Sequence, residues 1–212
     1  MKYENFIKEI EEKNPHLKKV KENGLTLEFI EEQTEEMCIM AVKENGLALK
    51  FVKNQTEEIC LEALIENINA FEYVKKATEK ICIQLVKENA WMLEKIENQT
   101  EEMCIEAVKQ EGYSLIYVKE QSKEICIEAV KKYGYVLKFV KEQSKEICEQ
   151  AIKQYCYALQ YVKEQTEEMC IMAVKENGLV LQYVKNQTEE ICLEAVKQNQ
   201  EALQYVNKKI FD

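Results

Sequence analysis

Apolar and polar residues recur along this chain in blocks with a period of 22 residues. Aligned copies begin at Gln33, Gln55, Ala77, Gln99, Gln121, Gln143, Gln165 and Gln187 without an insertion, and a degenerate ninth begins at Glu11. The stretch Gln165 to Asn186, QTEEMCIMAVKENGLVLQYVKN, shows the unit at its most regular. Its first half carries apolar residues at helical spacing, and its second half is a shorter apolar run. The pattern predicts two short helices per copy. Helix A should run for about ten residues, capped by Thr or Ser (Thr34, Thr56, Ser122, Thr188) and opened by Glu residues that suit its dipole. It should stop at Gly46, Gly112, Gly134 and Gly178, with the glycine left-handed. Helix B is expected over Leu179 to Lys185.

The same spacing nominates a core. In the copy at Gln187 it consists of Ile191, Cys192, Ala195 and Val196 on helix A, with Leu203 and Val206 on helix B. Alanine recurs at the Ala195 place (Ala41, Ala63, Ala107, Ala129, Ala151, Ala173), where a small residue lets helices approach closely. Leu193 widens the apolar arc, as stacking against copies on both sides requires. The fold class that follows is all-α: an α-solenoid, or superhelix, of tandem two-helix repeats. Residues 1–32 read as a capping segment holding the degenerate copy, 33–206 as eight regular repeats, and 207–212 as a C-terminal tail. Asn14-Pro15 would open the first copy, and Gln200 and Glu201 would make the last turn polar. A leucine-rich repeat is disfavoured because no LxxLxLxxN strand signature is present. A single long amphipathic helix on lipid would also suit twice eleven residues, but the caps and glycines interrupt it.

The core A-V-K-x-N-G-x-x-L-x-Y, seen at Ala41 to Phe51 and Ala173 to Tyr183, resembles the uncharacterised short helical repeat domains of giant DNA viruses of amoebae and some bacteria. The resemblance extends over about Glu11 to Val206. It implies a helical repeat fold and, since those domains have no assigned activity, carries over no functional residue. Ile68, Ala90, Cys156 and Gln200 depart from it by occupying the Gly place, so the turn there is open to question.

Composition narrows the functional classes. The chain has one Pro and five Gly, and is 46% hydrophobic and 32% charged, as suits a folded helical protein. All 29 basic residues are Lys, Asp212 is the sole Asp, and the net charge is −10. Nucleic-acid binding ordinarily needs a basic face rich in Arg, so that partner is disfavoured. No stretch approaches the ~20 apolar residues of a membrane span, and Met1 to Ile10 shows no secretory signal. Nine cysteines in such a chain point to a reducing, cytoplasmic setting, the host cytoplasm if the chain is viral.

Eight of those cysteines form a ladder: Cys38, Cys60, Cys82, Cys104, Cys126, Cys148, Cys170 and Cys192. Stacked helices lie ~8–10 Å apart, beyond the ~4.4–6.8 Å between disulfide-linked Cα atoms. No CxxC exists and His16 is the only His, so core packing is favoured over a metal or redox array. Cys156, at a turn, is a candidate reactive thiol or simple drift. His16 has no nucleophile in sequence with it. Glu101-Glu102 reads as a solvated first turn rather than a carboxylate pair. Neither a cofactor, a metal site nor an enzyme activity is indicated.

The departures are aromatic. The residue after the Gly place runs Leu25, Leu47, Asn69, Trp91, Tyr113, Tyr135, Tyr157, Leu179, Glu201, so that four consecutive copies carry a large aromatic. Tyr133 and Tyr155 add two more just before the turn. In register these six residues would form a protein-binding strip, or else merely roof the core. A second row, Phe29, Phe51, Tyr73, Tyr117, Phe139, Tyr161, Tyr183 and Tyr205, broken at Lys95, reads as packing between copies. The expectation is a non-enzymatic scaffold that binds an unknown protein or peptide. Alternatives are a structural spacer or self-associating array and, less favoured, an amphipathic helix on a membrane surface.

Overall fold

A computed structural model describes residues 15–210. Glu11 to Asn14, where the degenerate copy and its cap were expected to open, lie outside the described residues. The chain divides into two compact units, Met1–Asn89 and Ala90–Asp212. The first contains α-helices α1 (Pro15–Glu22), α2 (Glu35–Glu44), α3 (Glu57–Glu66) and α4 (Glu79–Glu88), and the second contains α5 (Glu101–Gln110), α6 (Lys123–Lys132), α7 (Lys145–Gln154), α8 (Glu167–Glu176) and α9 (Glu189–Gln198). From α2 to α9 each helix A is capped by its Thr or Ser hydroxyl. Thr34 Oγ1 accepts from the Met37 N–H at 3.3 Å, and Ser122 Oγ from the Ile125 N–H at 3.3 Å. Within each unit consecutive α-helices pack on one another, as do the second elements of consecutive copies. The repeats are therefore all-α pairs stacked as in a solenoid.

The second element differs from the expected α-helix. It is a six-residue 3-10 helix that starts on the Gly place, as in Gly178–Tyr183 and Gly134–Phe139. With i and i+3 aligned on one face, Gly178 and Leu181 are buried together. Ile68, Ala90, Cys156 and Gln200 each start such a helix too, so the turn persists without glycine.

Glycine serves another purpose than a left-handed cap. No residue among those described has a positive φ. A Cβ on Gly178 would lie 2.2 Å from the Ala195 carbonyl oxygen, and one on Gly46 or Gly134 would lie 2.4 Å from that of Ala63 or Ala151. Gly of one copy and Ala of the next form a close joint. Where Ile68 takes the Gly place, the next copy holds Leu85 in the Ala place, so both sides of that joint are large. There Phe71 is half-buried, whereas Leu27 and Leu49 at its place are fully buried.

A glutamine ties copies together. Gln143 Nε2 donates to the Leu137 and Tyr161 carbonyls at 3.3 and 2.9 Å, while its Oε1 accepts from the Lys163 N–H at 2.9 Å. Gln33, Gln55, Gln99, Gln121, Gln165 and Gln187 make the corresponding bonds to the end of their own copy's 3-10 helix. All of these but Gln121 also reach a carbonyl of the preceding copy, as Gln143 reaches that of Leu137. Backbone groups that a 3-10 helix leaves open are satisfied in this way. Ala77 alone among the regular copies lacks the amide.

The core follows the expected set except in the copy at Gln55, where Phe71 and Val74 are half-buried, and in the last copy. Ile191, Cys192 and Ala195 are buried, but Leu203 is 58% exposed and Val196 and Val206 are half-buried. Leu159 and Leu181, equivalent to Leu203, are fully enclosed by the copy after them, a cover that residues 207–210 do not provide. Leu193 is exposed for the same reason.

Candidate binding surface

Four of the six strip residues, Trp91, Tyr113, Tyr135 and Tyr157, sit at the second place of 3-10 helices in the second unit. Each meets, edge to face, the aromatic of the following copy's 3-10 helix. Ring centroids are 5.9 Å apart for Trp91–Tyr117, 6.2 Å for Tyr113–Phe139, 5.0 Å for Tyr135–Tyr161 and 6.0 Å for Tyr157–Tyr183. Such pairs contribute ~0.5–1.5 kcal/mol beyond their buried area. The two aromatic rows of the sequence are thus one interlocked band in these copies, and the second row does pack between copies there. At Phe29 and Tyr73 it is exposed instead.

Tyr133 and Tyr155 complete the band. Tyr113 lies 5.6 Å from Tyr133 and 6.5 Å from Tyr135, and Tyr155 lies 5.5 Å from Tyr157. The structure therefore gathers Tyr113, Tyr133 and Tyr135 in one cluster and Tyr155 and Tyr157 in another, with Trp91 joined to Tyr117. Trp91, Tyr133 and Tyr155 remain 43%, 37% and 40% exposed.

The place of Tyr133 and Tyr155 is where other copies cap the 3-10 helix. Asn45 Oδ1 accepts from the Leu47 N–H and Asn177 Oδ1 from the Leu179 N–H, each at 3.0 Å. The residue that ends helix A, Asn45 or Asn177, is therefore also the N-cap of the next element. Tyr133 and Tyr155 make no such bond. Losing an N-cap costs ~1 kcal/mol, so local backbone stability does not account for tyrosine there.

Lysines border the rings. Lys138 Nζ is 3.9 Å from the Tyr135 ring centroid and 4.6 Å from that of Phe139, and Lys132 Nζ is 5.9 Å from that of Tyr133. The Lys138 ammonium, and then a hydrogen bond between the Tyr135 and Tyr161 hydroxyls, draw the Tyr135 phenol below its ordinary pKa. Its partner Tyr161, whose proton that bond retains, is pushed up to about 12. Tyr157 accepts from Asn177 Nδ2 at 3.1 Å, and burial raises its phenol. Sequence reading overlooked Lys132 and Lys138, although comparing charge place by place between copies would have found them.

The other candidates are occupied by packing. The eight ladder thiols are buried and unpaired, with Cys104 Sγ 3.8 Å from Gln99 Oε1. Burial raises their pKa values, to about 11 at Cys104, Cys126 and Cys170. Cys156 is half-buried and its thiol is likewise pushed up by burial, which lowers its thiolate fraction rather than activating it. Among the described residues no group of His, Cys, Asp and Glu could hold a metal ion, and no helix is long and apolar enough to cross a membrane. His16, Glu101 and Glu102 are exposed. An open groove of about 650 Å³ runs between Gln99 and Ser122, but its central groups, Gln99 and Lys119, are engaged with backbone and with each other.

Compared with known families, residues 100–144, 122–166 and 166–211 match DUF4116, a domain of unknown function. No curated protein and no solved structure matches the chain.

Proposed function

The chain belongs to the DUF4116 family, and from that premise we propose that it is a non-enzymatic scaffold whose aromatic band binds a peptide or protein. The observation that carries this reading is the pair Tyr133 and Tyr155, which give up a cap bond to place partly exposed rings beside the strip. Aromatic side chains with a polar tip are enriched at binding hot spots. A regular repeat stack lets a few outer places vary without disturbing its core. The test is the triple variant Tyr113→Leu, Tyr135→Leu and Tyr157→Leu, because Leu occupies this place in other copies. Helicity should be retained and binding to partners recovered by pull-down lost. Unchanged binding would exclude the band.

A second reading, a spacer or self-associating array, draws support from exposed Leu193 and Leu203 on the last copy. It requires growth with concentration in light scattering and suppression of that growth by Leu203→Glu. The nine unpaired cysteines support a reducing, cytoplasmic setting, which fractionation of the native host would test.

A further inference from the structure

Two outer places flank each strip residue: the one just before the cap place and the one three residues after the strip. In the copies that begin at Gln55 and Ala77 they hold Glu66, Glu72, Glu88 and Glu94. In the next three copies they hold Gln110 and Ile116, Lys132 and Lys138, and Gln154 and Gln160. Where the tyrosines stand these places hold no carboxylate, as is also so at Gln198 and Gln204 in the last copy, and only the copy at Gln121 holds ammonium groups at both. The copy Gln121–Glu142 holds five Lys and three Glu within a chain of net charge −10.

Packing does not demand this change. Gln154 accepts from the Gly134 N–H, a bond that a glutamate oxygen could accept equally well. What the amide alters is charge. Lys132 and Lys138 have ring contacts but no ion pair among the described residues. An ammonium on a tyrosine face still has donors free to meet an anion. Around its tyrosines the band is thus an aromatic surface without acid at these places, on an otherwise acidic chain, whereas Glu88 and Glu94 flank Trp91.

We propose that the occupant is an acidic peptide segment, an inference that rests on the band's being a binding surface. Its carboxylates would meet Lys132 and Lys138, with an apolar or aromatic side chain lodged among Tyr113, Tyr135 and Tyr157. Single-stranded nucleic acid would also stack on tyrosine, but its continuous charge needs a basic track. Here Glu111 and Glu176 stand at the two ends of the band, and no Arg is present. A segment with two or three carboxylates needs only the lysine pair.

The test is selection of a random peptide display library on the intact protein, with subtraction on the triple Tyr→Leu variant. Peptides that require the tyrosines should be enriched in Asp and Glu. Replacing those acids by amides, or introducing Lys132→Glu with Lys138→Glu, should each weaken binding by about tenfold, and added salt should weaken it further. The double Glu variant should in turn favour Lys-bearing forms of the same peptides. Tyrosine-dependent peptides without acidic enrichment would overturn the charge inference and leave the band as a site. So would acidic peptides indifferent to the lysine changes. Recovery of no tyrosine-dependent peptide would remove both readings. Tighter binding of an oligothymidine probe than of the peptides would overturn the proposal in favour of nucleic acid. Circular dichroism of each variant guards against loss of fold.

Discussion

The copies Gln55–Lys76 and Gln121–Glu142 share a skeleton and differ on their outer face. Both have the hydroxyl cap, the buried Cys and the glutamine bonded to the end of the copy's 3-10 helix. Yet Ile68 stands where the other has Gly134, Asn67 where it has Tyr133, and Asn69 where it has Tyr135. Glu66 and Glu72 answer to Lys132 and Lys138. The shared places fix how a copy folds and joins its successor. The differing outer places change chemistry without disturbing that join, while the Ile68 place changes the join itself.

The largest test of this contrast is Gly134→Ile, which installs the residue natural at position 68. A Cβ there meets the Ala151 carbonyl, and without a relaxed joint the change should destabilise by about 3 kcal/mol in urea unfolding. A neutral outcome would show that the Gly–Ala approach is not a constraint. Next in size are Gln55→Ala and Gln121→Ala. Each removes the tie to two backbone groups, and both should cost about 2 kcal/mol, since the tie is common to the two copies. Unequal costs would break the claim of a shared skeleton.

A smaller effect of opposite sign separates stability from binding. Tyr133→Asn restores the missing cap and should stabilise by about 1 kcal/mol while weakening peptide binding, whereas Asn67→Tyr should destabilise by a similar amount. The mildest readout is titration of the phenols by NMR of labelled tyrosine. Tyr135, lowered by Lys138, should lose its proton first as pH rises, and Tyr161 near pH 12. Lys138→Gln should return Tyr135 toward its ordinary value, because the neutral amide no longer favours the phenolate.

Much of the framework was legible before the structure. The period, the hydroxyl-capped helix A and the buried Met or Ile, Cys, Ala and Val places rest on interactions within about one helical turn, which sequence spacing encodes directly. The band was legible in part. Its six aromatic residues stood out as departures and the second row as packing between copies, but that the two rows meet did not, and neither did the flanking lysines. The glutamine was visible as a repeated letter without a role, because its partners lie 18 and 20 residues on, far beyond one helical turn.

By itself the sequence determined a helical repeat of fixed length, its first helix and most of its core, since these depend on residues three or four apart. Only the tertiary structure decided the rest. It set helix B as a 3-10 helix and gave glycine its reason in the Ala carbonyl of the next copy rather than in a left-handed turn. It also paired Tyr135 with Tyr161 and left Leu203 exposed in a place that is otherwise core. These outcomes depend on how closely one copy approaches the next, a distance that no local pattern contains.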